Sequence, residues 1–248
     1  MDLVIGTVLL RPYVFGFLVV FTAAALADLG GRRTLRFAAS VWPVAWLAEY
    51  SSTRVGLPFG LYHYTEATRG QELYIANVPF FDSLSFVFLA YAAFCVARLV
   101  VGRAPGPLTR VKLALIAGML MMVLDMVIDP IAVRGDRWFL GRVFYYAEEG
   151  SYFGVPLSNF AGWVAVGAAG VGLYLWGAGV PTEGRVWPGL ALYYGVLAFN
   201  VMVTLWIGEW ALATTGLLIH TAVAVGLRAG YQRRGGQARP MRKDLQEV

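Results

Sequence analysis

The chain has 248 residues, of which 58% are hydrophobic and 14% charged, with a mean hydropathy of +0.62 and a formal charge of +5. Soluble domains carry about a quarter charged residues, so the composition excludes an ordinary soluble domain and describes a polytopic membrane protein. The positive excess then reads as topology rather than nucleic-acid affinity, and the single cysteine, Cys95, excludes an internal disulfide or a multi-cysteine metal site.

About 20 apolar residues cross a bilayer as a helix, and seven stretches qualify: roughly 10–28, 35–52, 80–101, 110–132, 157–179, 187–208 and 211–229. The expected fold is therefore an all-α helical membrane bundle, with residues 1–230 as its transmembrane catalytic domain and 231–248 as a basic, flexible cytoplasmic tail. Arg11-Pro12 blurs the start of the first stretch, and the N-terminus lacks the positive region of a cleaved signal peptide. The runs do not alternate as barrel strands would. Of the 20 Lys and Arg residues, fourteen fall after the odd-numbered stretches and six on the other side. The positive-inside rule then predicts a cytoplasmic C-terminus and an external N-terminus in a prokaryotic cell membrane.

In chain order, Glu49 closes the second stretch and Asp82 opens the third. Asp125 and Asp129 close the fourth, Asn159 opens the fifth, and Glu209 ends the sixth. All fall near the non-cytoplasmic ends, where the two longest loops, 53–79 and 133–156, also lie. The expectation is one polar end and one greasy end.

The sharpest signal is "MMVLDMVIDPIAV", residues 121–133, an apolar run broken only by Asp125 and Asp129. Four residues apart, they share a helix face, and Pro130 predicts a break in the last turn. Ionisable groups inside a membrane are costly and suggest function. Ionised together, these two repel, which favours a proton on one of them, and an acid beside an ionised neighbour suits acid–base work. The plainer reading pairs them with Arg134, Arg137 or Arg142. A Mg²⁺-dependent prenyl-transfer site is the competing chemistry, since "DMVID" has the DxxxD form, but a second acidic motif and converging basic residues on the helices are missing. The two histidines, His63 and His220, form no di-iron pattern, and Lys112 and Lys243 are misplaced for a retinal Schiff base. Aromatic rings including Tyr62, Tyr64, Trp138, Tyr152, Phe153 and Trp163 crowd the polar end. They suit an interfacial belt and equally the shelter of a carbocation.

Four blocks, "WLAEYSSTRVGLPFGLYHYT", "VPFFDSLSFVFLAY", "LDMVIDPIAVRGDRWF" and "YFGVPLSNFAGW", resemble the membrane carotenoid hydratases. That family includes γ-carotene and lycopene 1,2-hydratases and bisanhydrobacterioruberin hydratases. The resemblance runs from about Trp46 to Trp163 and falls on Glu49, Gly56, Gly60, Tyr62, His63 and Tyr64. It continues over Asp125, Asp129, Pro130, Gly154, Pro156, Asn159 and Trp163, with Asp82 less secure. It implies addition of water across the terminal C1=C2 double bond of an acyclic (ψ) carotenoid end group, giving a tertiary alcohol without cofactor or metal. On chemical grounds, Asp129 or Asp125 is the expected acid, Glu49 or Asp82 the base, and Asn159 a holder of water. Tyr62, His63, Tyr64, Trp138, Tyr152, Phe153 and Trp163 are the expected substrate contacts. The expected partners are the carotenoid, membrane lipid and neighbouring pathway enzymes, with no nucleic acid. A non-enzymatic carotenoid-binding or proton-relay protein is a third reading.

Overall fold

The computed structural model describes residues 2–237. A short helix α1 (Leu3–Leu10) is followed by α2 (Pro12–Leu29), α3 (Gly31–Val55), α4 (Phe80–Val101) and α5 (Pro107–Ala132). Then come α6 (Leu157–Ala178), α7 (Trp187–Trp206) and α8 (Trp210–Gln237). The chain is a polytopic helical membrane protein. Six of these helices, α2 and α4–α8, are long and apolar enough to span a membrane. The remaining expected span is the 25-residue α3, more polar because it carries Arg32, Arg33, Arg36, Glu49 and Arg54.

The first expected span began at residue 10, whereas the helix breaks at Arg11 and restarts at Pro12. Proline lacks an N–H and is tolerated at the first helical position, so it starts α2 instead of continuing α1. At the other end, α8 continues to Gln237, past the loss of hydropathy near residue 229. The rest of the expected tail, 238–248, lies outside the described residues.

Helix α4 is the centre of the bundle: every residue from Phe86 to Arg98 is buried. A helix apolar on all sides must be covered on all sides. Helices α5 and α6 pack backbone to backbone. A Cβ on Gly167 would lie 2.9 Å from the Cα of Gly118, and one on Gly118 would lie 2.9 Å from Ala168 N. Small residues permit such close approach between membrane helices. His220 of α8 hydrogen-bonds the Val123 carbonyl of α5 at 3.1 Å, which makes it a satisfied bundle histidine.

The long loops are not structureless caps. Strand β1 (Tyr62–Tyr64) and a later strand (Phe144–Tyr146) form an antiparallel ribbon with Tyr62 opposite Tyr146, His63 opposite Tyr145 and Tyr64 opposite Phe144. Between them, β2 (Tyr74–Ile75) and β3 (Val78–Pro79) make a small hairpin, so the later strand is β4.

The opposite end is not greasy throughout, contrary to expectation. Arg98, counted as a loop charge, is buried in α4 and paired with Asp28 of α2 at 2.6 and 3.2 Å. Tyr91 also donates to Asp28, and Arg98 reaches the Glu183 carbonyl. The pair satisfies two charges that hydropathy alone left unassigned.

Candidate active site

Asp82 lies in the first turn of α4, Glu49 near the end of α3, Asp129 in the last turn of α5, and Asn159 in the first turn of α6. All four line one cavity of about 150 Å³ beneath the β1–β4 ribbon. Residues up to 110 positions apart thus converge because the helices run antiparallel and their carboxyl-bearing ends meet.

Two carboxylates each receive a tyrosine hydroxyl from the ribbon. Tyr64 donates to Glu49 Oε2 at 3.0 Å, and Tyr146 donates to Asp129 Oδ2 at 3.1 Å. Strand alternation explains the choice: Tyr62 and Tyr64 point inward and His63 outward. Burial, followed by the charge of Glu49, pushes the Tyr62 and Tyr64 hydroxyls well above the usual phenol range. Burial and then Asp129 do the same for Tyr146. These hydroxyls therefore stay protonated and act as donors to the acids.

Asp125 lies one turn behind Asp129, fully buried. Asn159 Nδ2 donates to its Oδ2 at 2.6 Å, while Oδ1 has no donor among the described residues. None of Arg134, Arg137 and Arg142 pairs with these aspartates. Arg134 donates to the Pro130 and Phe153 carbonyls and, with Arg137, pairs with Glu209. Arg142 lies over the Tyr145 ring. The arginine pairing that the plainer reading expects is therefore not formed, and the loop is tied to Asp129 through Tyr146 instead.

Asp82 is held differently. Arg11, buried at the α1–α2 break, pairs with Asp82 and grips Glu72 with two hydrogen bonds of 2.9 Å. Thr68 also donates to Glu72. Sequence reading missed the role of Arg11 and all of Glu72. A charge beside a helix-breaking proline in an apolar run was the available signal for Arg11; Glu72 had none.

Aromatic rings form the walls. Trp163 stacks on Phe86 with centroids 4.2 Å apart, and Phe59 lies beside both. Tyr62 meets Tyr64, Phe144 and Tyr146 edge-on. Tyr62, Tyr64, Trp138 and Trp163, all expected contacts, line the cavity, whereas His63, Tyr152 and Phe153 do not. His63 is exposed and faces Tyr145, and Tyr152 and Phe153 pack beside the cavity near Phe160. Among the described residues, no three His, Cys, Asp or Glu side chains form a group arranged to hold a metal ion.

The arrangement is an apolar, ring-lined chamber with acids on several sides, each acid oriented by a donor. Comparison with known proteins then gives the family. The description "Carotenoid biosynthesis protein" matches residues 8–223. The chain belongs to this family. A curated relative, the bisanhydrobacterioruberin hydratase of Haloarcula japonica, is 30% identical over 185 residues, covering 68% of this chain and 58% of the relative. No solved structure matches.

Proposed function

We propose that this protein is a carotenoid hydratase that adds water across the C1=C2 bond of an acyclic (ψ) end group. The observation that carries the reading is the single ring-lined cavity shared by Glu49 and Asp129, each with its own tyrosine donor. The relative's name supports it, though the match spans little over half of that protein.

In this reading the end group lies in the cavity with its alkene between the two carboxyl groups. The Asp129 carboxyl donates its proton to C2, and the π electrons of the alkene form the new C2–H bond. Positive charge develops at the tertiary C1, where the faces of Trp163, Phe86 and Tyr62 stabilise it; a desolvated cation–π contact is worth about 2 kcal/mol. A water oxygen bonds C1 while Glu49 removes one of its protons, leaving the tertiary alcohol. The net change is one water added, and Glu49 and Asp129 then exchange a proton with solvent to restore the starting state. Asp125 stands behind Asp129 as its proton reserve, and Asn159 orients that pair. Asp82, tied to Arg11, fixes the field of the cavity rather than moving a proton.

The membrane orientation follows the positive charges. Setting aside the buried Arg98 and Arg11 leaves thirteen Lys and Arg against five, a bias that supports a cavity at the non-cytoplasmic side.

The test is pigment analysis of membranes from cells that make lycopene or γ-carotene and express this chain. A product heavier by one water, formed equally with a Mg²⁺ chelator present, supports the proposal. A mass gain that requires Mg²⁺ and a diphosphate favours prenyl transfer instead. Pigment that is bound and returned unchanged favours a carrier.

A further inference from the structure

A cavity of about 150 Å³ accommodates an end group. It does not accommodate a linear polyene comparable in length to the bilayer's hydrocarbon core of about 30 Å. On the hydratase reading the rest of the substrate must leave through a wall, and the walls are not alike. The roof is stitched by the β1–β4 ribbon and by Arg11 with Glu72 and Asp82. Helices α3 and α4 are joined by the Trp42–Ser83 hydrogen bond, and α5 and α6 meet at glycine backbones.

The seam between α2 and α7 carries aromatic rings from both helices. Tyr13 of α2 stacks on Phe199 of α7 with centroids 5.1 Å apart and planes 16° off parallel. Phe17, one turn deeper, meets Phe199 edge-on at 5.7 Å and Phe88 of α4 at 5.6 Å. Among the described residues, no side-chain hydrogen bond or ion pair joins α2 to α7. Tyr13, Phe17 and Phe199 all line the cavity, and each is only partly buried. Beyond them the outer face of α2 is largely exposed and apolar.

We propose that the α2–α7 seam is a lateral portal through which the polyene of the substrate extends from the cavity into the lipid, with Phe199 and Phe17 as its movable gate. Ring contacts carry no directional bonds to break, so the gate opens by rotation of side chains. A polyene passing through the roof would meet water, which is unfavourable for an apolar chain; through the seam it meets hydrocarbon. The portal also sets specificity, because an acyclic chain slides between two helices where a bulky substituent next to the end group does not.

The test uses a Cys95→Ala, Tyr13→Cys, Phe199→Cys variant in membranes, assayed reduced and after treatment with a short bismaleimide that ties α2 to α7. Two substrates are compared: lycopene, and a short acyclic terpene with the same dimethyl alkene terminus. The portal predicts that cross-linking lowers lycopene hydration at least about tenfold relative to the same variant reduced, while terpene hydration persists. Unchanged rates with both substrates, or loss of both together, would overturn it. If the triple variant does not fold, Phe199→Trp serves: filling the seam raises KM for lycopene and not for the terpene, and an unchanged lycopene KM counts against the portal. Wild-type protein that hydrates neither substrate would instead contradict the hydratase reading itself.

Discussion

Replacing Asp129 by Asn separates the proposed acid from everything else that residue does. The side chain keeps its size, and its amide oxygen still accepts from Tyr146, which now donates to Asp129 Oδ2 at 3.1 Å. The ribbon therefore stays attached to α5, and only the transferable proton is gone. A positioned general acid contributes about 10²–10⁴ in rate, equal to about 3–5 kcal/mol of activation free energy. The loss should sit near the lower figure, because Asp125 lies one turn behind with Oδ1 unpaired and offers a second proton source. Residues that act together are non-additive: because Asp125 covers for Asp129, Asp125→Asn combined with Asp129→Asn should cost more than the product of the two single losses. The assay is the initial rate of alcohol formation from lycopene in isolated membranes, separated chromatographically, with bound pigment measured on the purified protein. Expected are a rate lowered about a hundredfold or more and pigment binding retained. A rate within about threefold of wild type would refute the assignment of Asp129.

Glu49→Gln removes the base and should lower the rate by about 10²–10⁴. Tyr64→Phe deprives Glu49 of its donor and should cost about 1.5–3 kcal/mol, read mainly in kcat. Arg98→Met leaves Asp28 buried without its cation and should destabilise the bundle by about 3–5 kcal/mol in thermal unfolding in detergent. Adding Asp28→Leu should recover most of that loss, and failure to recover would show the pair is not the source. Gly118→Ala pushes a Cβ against the α6 backbone at Ala168. It should cost about 1–3 kcal/mol and slow hydration by displacing Asn159 from Asp125; unchanged stability would contradict the backbone contact.

Much of the architecture was legible because hydropathy and helix punctuation report directly on it. Helix α4 spans the expected 80–101, and α6 begins at the expected Leu157. Of the polar groups expected at one end, Glu49, Asp82, Asp129 and Asn159 line one cavity, because alternating helix direction brings alternate ends together, whereas Asp125 and Glu209 do not line it. Hydropathy does not fix the rotation of a helix about its axis. Asp125 and Asp129 share a face, but only packing puts Asp129 in the cavity and Asp125 behind it. Strand pairing was equally hidden, since His63 and Tyr64 are alike in composition and differ by the side of the ribbon they face. The ion pairs Arg11–Glu72 and Asp28–Arg98 join residues 61 and 70 positions apart, a separation with no local signature. That is why a greasy end was expected where a buried polar pair lies.

The central claim is that this cavity adds water to an alkene, proton at C2 and oxygen at C1. It is tested most directly by incubating membranes and lycopene in ¹⁸O-enriched D₂O and analysing the product by mass spectrometry and NMR. The account predicts one ¹⁸O in the tertiary hydroxyl at C1 and one deuterium at C2, with neither label incorporated by the Asp129→Asn, Glu49→Gln double variant. Oxygen that comes from O₂ instead of water, or label that accumulates equally in the double variant, would contradict it.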